Sequence, residues 1–186
     1  MLFITFMFAQ RMFYIEDCEL LDFMEKDMVP ELEEFAYLPK FQDGRINYSS
    51  ASRAAVLNCI VTHEEKILLL KRSDKVSNYR GKWNVIAGFL DEPKSLREKT
   101  LEELQEEIGI SEEDIATISF EKPHEYHDPS LQKTWIIYPV RAELKRKPEI
   151  KLDWEHSDST WIRPEELSKY DVVTGLDETV KKIIVC

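Results

Sequence analysis

The chain has 186 residues, which suits one domain able to bury well over half of its unfolded surface. Its 43% hydrophobic content is ordinary for a soluble globular protein, and Lys+Arg 25 against Asp+Glu 36 leaves a net charge of −11. That charge argues against a nucleic-acid polymer as partner. Cys18, Cys59 and Cys186 form an odd set without C-x-x-C spacing. They suggest neither a disulfide framework nor a zinc site, and they favour a reducing, cytoplasmic setting.

The opening stretch MLFITFMFAQRMFYI is apolar for about eight residues, lacks a basic start and is too short to span a bilayer. No membrane association is therefore expected. The stretch reads as a strand or core-packing arm, as an oligomer contact, or as an upstream start with the natural one at Met7 or Met12. From Ile15 to Tyr37 the apolar residues Leu20, Leu21, Phe23, Met24 and Met28 recur at helical spacing. Pro30 divides this region into a first helix and a short second one over Glu31 to Tyr37. Such an amphipathic extension suits core packing or a homodimer contact. LPKFQDGRINY then reads as a turn-rich connection around Asp43-Gly44. The expected division is an N-terminal extension over 1–49 and a catalytic domain over 50–186.

Ala54 to Thr62 is a buried-strand pattern, and after His63-Glu64-Glu65 the run Lys66 to Arg72 returns as a second strand, so the pair predicts a hairpin. The following loop reverses the local charge. Lys71, Arg72, Lys75, Arg80 and Lys82 stand against the single acid Asp74. It is either a solvated loop or one that faces phosphate, and it feeds directly into a strand over Trp83 to Gly88. Arg72, Arg80, Lys82 and Trp83 are the candidate substrate contacts.

Next comes GFLDEPKSLREKTLEELQEEIGI, from Gly88 to Ile110. Ser95 and Glu98 form an S-x-x-E capping box that starts a helix just after Ser95, and Gly109 suits the left-handed position that ends it. At about 100° per residue, Leu101, Leu104 and Ile108 share one face. Glu103, Glu106 and Glu107 share another at i, i+3 and i+4, an arrangement that destabilises a bare helix by a few tenths of a kcal/mol per pair. A hard divalent cation would reverse that sign, because Mg²⁺ prefers carboxylate oxygens.

Downstream, Ala116 to Phe120 reads as strand, Lys122 to Ser130 as a polar loop, and Gln132 to Leu144 as a long strand. His124 and His127 have H-x-x-H spacing, which on a loop is weak evidence for metal, and Glu125 and Asp128 are minor candidates for an extra catalytic carboxylate. A strand around Thr160 to Arg163, a short helix from Pro164 and a closing helix over Leu176 to Val185 complete the chain.

The stretch from Gly88 to Ile110 resembles the signature of the Nudix hydrolases, G-x5-E-x7-R-E-U-x-E-E-x-G-U, where U is aliphatic. YRGKWNVIAGFL before it and the W-E-H and W-x-x-P-E-E-L segments after it are similar to the flanking parts of that family. Two positions depart: Lys94 stands where the family has Glu, and Glu102 where it has Arg. An ion pair of reversed polarity would preserve the contact. The resemblance implies an α/β fold, an α/β/α sandwich with a mixed sheet between helices. It also implies a metal-dependent pyrophosphohydrolase that cleaves a nucleoside diphosphate linked to another group by water attack at phosphorus. Glu103, Glu106 and Glu107, with the carbonyl of Ala87, would hold Mg²⁺ or Mn²⁺. Glu155, just before the last strand, matches the position of a further ligand or base, and Glu103 is the other candidate base. The partner is a small nucleotide-type molecule whose base or sugar nothing in the loops names. Tyr79, Trp83, Tyr126 and Trp135 are the aromatic residues placed to stack on a base. The competing readings are a nucleotide-sensing module without turnover, motivated by the swapped pair, and an isomerase of diphosphate esters.

Overall fold

AAVLNCIVT and KILLLKR are apolar without alternation, as strands covered on both faces must be. The computed structural model describes residues 32–184. In it these runs form β1 (Arg53–His63) and β2 (Lys66–Arg72), an antiparallel hairpin with Thr62 opposite Ile67. Along β2 the burial divides by parity. Leu68 and Leu70 enter one core together with Leu57, Cys59 and Val61, whereas Ile67 and Leu69 enter a second core with Ile60. One sheet therefore carries two apolar faces.

The sheet also contains β3 (Trp83–Asn84), β4 (Ile86–Phe89), β5 (Ile115–Phe120), β6 (His124–Asp128), β7 (Lys133–Leu144) and β8 (His156–Ile162). Its spine runs β3-β2-β1-β7-β5, with β4 added to β1, β6 to β7 and β8 to β2. The β1–β7 pair is parallel, from Arg53 opposite Thr134 to Thr62 opposite Glu143, and the other ladders are antiparallel. Helix α1 (Leu96–Ile108) closes the first core with Leu96, Leu104 and Ile108, and helix α2 (Leu176–Ile184) closes the second with Leu176, Val180 and Ile183. This is the expected α/β/α sandwich with a mixed sheet.

Several elements differ from the sequence reading. The expected polar loop over Lys122 to Ser130 contains β6, whose alternating half-buried residues pair with the edge of β7. A strand laid on a sheet edge needs no apolar run, because its ladder supplies the hydrogen bonds. The strand expected through Trp83 to Gly88 is split at Val85, one half pairing with β2 and the other with β1. The short helices expected near Glu31–Tyr37 and after Pro164 are 3₁₀ turns over Glu33–Phe35 and Pro164–Lys169. The apolar arm and the helix expected before Pro30 lie outside the described residues. Of the segment between Leu32 and Asn47, Phe35 and Ile46 are buried in the first core alongside Tyr48, whose hydroxyl donates to the Leu90 carbonyl at 2.9 Å. Cys59 is buried with a free thiol, and no helix among the described residues is long and apolar enough to cross a membrane.

Candidate active site

Helix α1 starts where its capping box places it. The Glu98 amide donates to the Ser95 hydroxyl at 3.2 Å and the Ser95 amide donates to the Glu98 carboxylate at 2.8 Å. It ends at Gly109, at φ +70°. Gly88 is required for a different reason. A β-carbon there would lie 2.1 Å from Glu103 Oε1, so only glycine lets the carboxylate rest on the loop backbone. Of the three candidate glutamates on the helix only Glu106 is exposed. Glu103 and Glu107 are buried, at 9% and 5% exposure, whereas Leu101 is only half-buried.

Glu103, Glu106, Glu107, Glu155 and Ala87 all line one cavity of about 740 Å³, together with Arg72, Asn58, Asn84, Tyr79, Phe89 and Trp135. The structure thus brings together the three helix glutamates, the carboxylate before β8 and one base of the loop. The other proposed substrate contacts lie elsewhere. Arg80 donates to the Val76 carbonyl at 2.7 Å, and Lys82 pairs with Asp171 at 2.6 Å. Trp83 packs edge-on against Tyr170 at 5.4 Å with the Lys71 ammonium over its ring. Lys71, Arg80 and Lys82 are thus engaged by neighbouring segments. Tyr79 does reach the cavity, at φ +57°, with its hydroxyl donated to Asp128. Tyr126 packs on Gly175, where a β-carbon would meet its ring at 2.8 Å. Among the minor candidates, Glu125 pairs with Arg53 at 2.8 Å, His127 Nδ1 lies 3.2 Å from the Thr134 hydroxyl, and both ring nitrogens of His124 are buried without a hydrogen-bond partner.

The swapped pair exists. Lys94 Nζ lies 2.9 Å from Glu102 and 2.9 Å from Glu92. Burial alone would raise the Glu102 carboxyl, but Lys94 and Lys99 outweigh it and hold it below its ordinary range. Lys99, given no role by the sequence reading, has a side chain only 8% exposed and places Nζ 2.8 Å from Glu103 Oε1 and 3.5 Å from Glu102. Its i, i+4 spacing to Glu103 was the available signal. Burial pushes Glu103 and Glu155 above the usual carboxylate range, with neighbouring acids adding to it and Lys99 and Arg72 respectively opposing it. Glu107 is pushed furthest, by burial first and by Glu103 next. His156 was also missed: it is buried between Asp153 Oδ1 (3.0 Å from Nδ1) and Glu107 Oε2 (3.6 Å from Nε2). Burial lowers its imidazole below the ordinary value, with Asp153 opposing the shift.

The donor set fits a divalent cation in chemistry. It is all oxygen, as Mg²⁺ prefers, and Glu107 Oε2 is a buried acceptor without a hydrogen-bond partner. The Ala87 amide donates weakly to the other oxygen of Glu107, at 3.4 Å. As the side chains stand, no three carboxylate, imidazole or thiol groups among the described residues close on one point, and Glu103 is held by Lys99.

Comparison with known proteins agrees with this architecture. The nucleoside triphosphatase NudI of Escherichia coli K12 is 24% identical over 127 residues, covering 66% of this chain and 90% of that protein. The crystal structure of a MutT protein from Methanosarcina mazei Go1 superposes with a TM-score of 0.59 at 20% identity, over 71% of this chain and 93% of that one. The NUDIX domain of Shewanella oneidensis NrtR, solved with ADP ribose, gives 0.60 at 15% identity, over 82% and 96%. At these identities the two structures speak for the fold alone. A model of the NUDIX domain matches residues 51–183, most of the chain, and the protein therefore belongs to the NUDIX domain family, as a hydrolase of phosphoric anhydride bonds.

Proposed function

We propose that this protein is a divalent-cation-dependent pyrophosphohydrolase of small nucleotide-type substrates, cleaving a nucleoside diphosphate linked to another group by water attack at phosphorus. The observation that carries the reading is the gathering of Glu103, Glu106, Glu107 and Glu155 on the wall of a single cavity beside Arg72. Glu103, Glu106 and Glu107, with the Ala87 carbonyl, would hold Mg²⁺ or Mn²⁺. Such a cation, when bound, neutralises phosphoryl charge and makes water a better acid. Glu155 is the better proton acceptor of the two candidates, because Lys99 already engages Glu103 and burial makes Glu155 more basic. Arg72 supplies a guanidinium to the phosphates, while Phe89 and Trp135, with ring centroids 6.2 Å apart, offer a base an apolar surface. The name of NudI supports a nucleotide as substrate. Residues 1–49 are read as an extension that serves core packing or a homodimer contact, and the odd cysteine set supports a cytoplasmic setting.

The test is release of phosphate or nucleoside monophosphate from a panel of nucleotide derivatives, with and without Mg²⁺. Turnover is expected only with the cation, and Glu106→Gln should abolish most of it. No turnover across a broad panel, with ligand binding retained, would replace this reading with that of a sensing module.

A further inference from the structure

A buried lysine inside a carboxylate cluster needs a reason, since its side chain loses both water and rotamer freedom. Lys99 lies on the cavity wall with Glu102, Glu103 and Asp91, and its Nζ contacts Glu103 Oε1 at 2.8 Å. That same oxygen is the one pressed against Gly88. Lys94 already serves Glu102 and Glu92, so Lys94, Glu102, Lys99 and Glu103 form a row of alternating charge from the surface to the cavity. The reversed Lys94–Glu102 pair is one end of this row and Glu103 is the other.

We propose that Lys99 is a resident counter-cation of the carboxylate cluster, one that must yield Glu103 Oε1 when a divalent cation takes it and so sets the cation affinity of the site. The inference rests on the carboxylate face being the cation-binding face, as in the reading above, but it does not require turnover. An ammonium and a divalent cation compete for the same lone pairs. The work of breaking one charge-assisted hydrogen bond is subtracted from cation binding. Lys99 thereby opposes the effect of burial on Glu103 and holds its carboxylate in place while making the site more demanding of cation concentration. Lys99 is a positioning residue in this account, acting through Glu103.

The experiment titrates the full-length protein with Mn²⁺, reading free ion by electron paramagnetic resonance, with no nucleotide present. Lys99→Gln keeps a hydrogen-bond donor without the charge and should tighten Mn²⁺ binding by about tenfold, the size expected of one released charge-assisted bond. Lys99→Arg should bind as wild type does. In a Glu103→Gln background the Lys99→Gln change should have no effect, because the competition is gone. Melting curves in chelator confirm that each variant is folded, with Lys99→Met as the alternative should Lys99→Gln fail. Unchanged or weaker Mn²⁺ binding by a folded Lys99 variant would overturn the proposal and leave the hydrolase reading standing. Absence of Mn²⁺ binding in all the proteins would overturn both. Tightened binding without turnover of any nucleotide would uphold the counter-cation and defeat the hydrolase reading.

Discussion

The two helices that cover the sheet are built on opposite principles. Helix α2 turns Leu176, Thr179, Val180 and Ile183 inward and leaves Asp177 and Lys181 outside, paired at 3.2 Å across one turn. Helix α1, capped by Ser95 and Gly109, buries Lys99, Glu103 and Glu107 beside its leucines. Burying ionisable groups lowers stability unless something compensates them, so α1 holds charge in place at the expense of folding free energy. The contrast separates a helix that stabilises from one that carries the proposed site, and each can be perturbed without the other.

The largest expected effect is on α1. Glu107→Gln should lower kcat/KM in Mg²⁺ by more than about 100-fold, beyond what losing a mere supporting partner costs a metal site; steady-state kinetics of the purified variant checks this. On α2, Leu176→Ala should cost about 2 to 5 kcal/mol of stability, measured by urea unfolding, with kcat of the folded protein unchanged. A loss of kcat there would erase the distinction between the helices. Gly88→Ala places a methyl on Glu103 and should cost about 1 to 3 kcal/mol while reducing turnover, since either the carboxylate or the loop must shift.

The pH dependence sharpens the comparison further. The Glu107 carboxyl is raised in the folded state above its ordinary value of 4.5, so its destabilisation is absent at low pH and develops as pH rises through the folded value. In chelator, Glu107→Gln should therefore melt higher than wild type, by a margin that grows as the pH is raised from about 4.5. A margin independent of pH would show that Glu107 is not a buried acid. The smallest effect belongs to the row's outer end. Lys94→Ala should change stability by about 0 to 1 kcal/mol, because that pair is partly exposed.

What could be read from the sequence follows the same division. The limits of α1 and the hairpin were legible because they depend on neighbours in sequence: a capping box, a left-handed glycine, two runs of branched residues. The reversed Lys94–Glu102 pair was legible through the two departures from the family signature. Glu155 was legible only through the resemblance. His156 escaped because its partner Glu107 lies on another element, and Lys99 because its i, i+4 pairing with Glu103 does not reveal that both are buried against the Gly88 loop. Strand β6 escaped because its hydrogen bonds, not its apolar content, hold it to β7. The placing of Trp83 and Lys82 away from the cavity was set by the 171–173 segment, which pairs with Trp83 through both its amide and its carbonyl.

The parallel ladder between β1 and β7 also governs when the site can exist. Arg53 meets Thr134, about 80 positions later, and the loop so closed contains β2, the glycine turn and all of α1. Closing such a loop costs more entropy than forming the β1–β2 hairpin, so the central ladder is expected to lag behind it. During synthesis, α1 must wait for residue 162 to emerge before the sheet beneath it is complete. Its glutamates are then still in water, where they repel one another at little cost. The burial that perturbs them is expected to come late, with the closing of that central ladder.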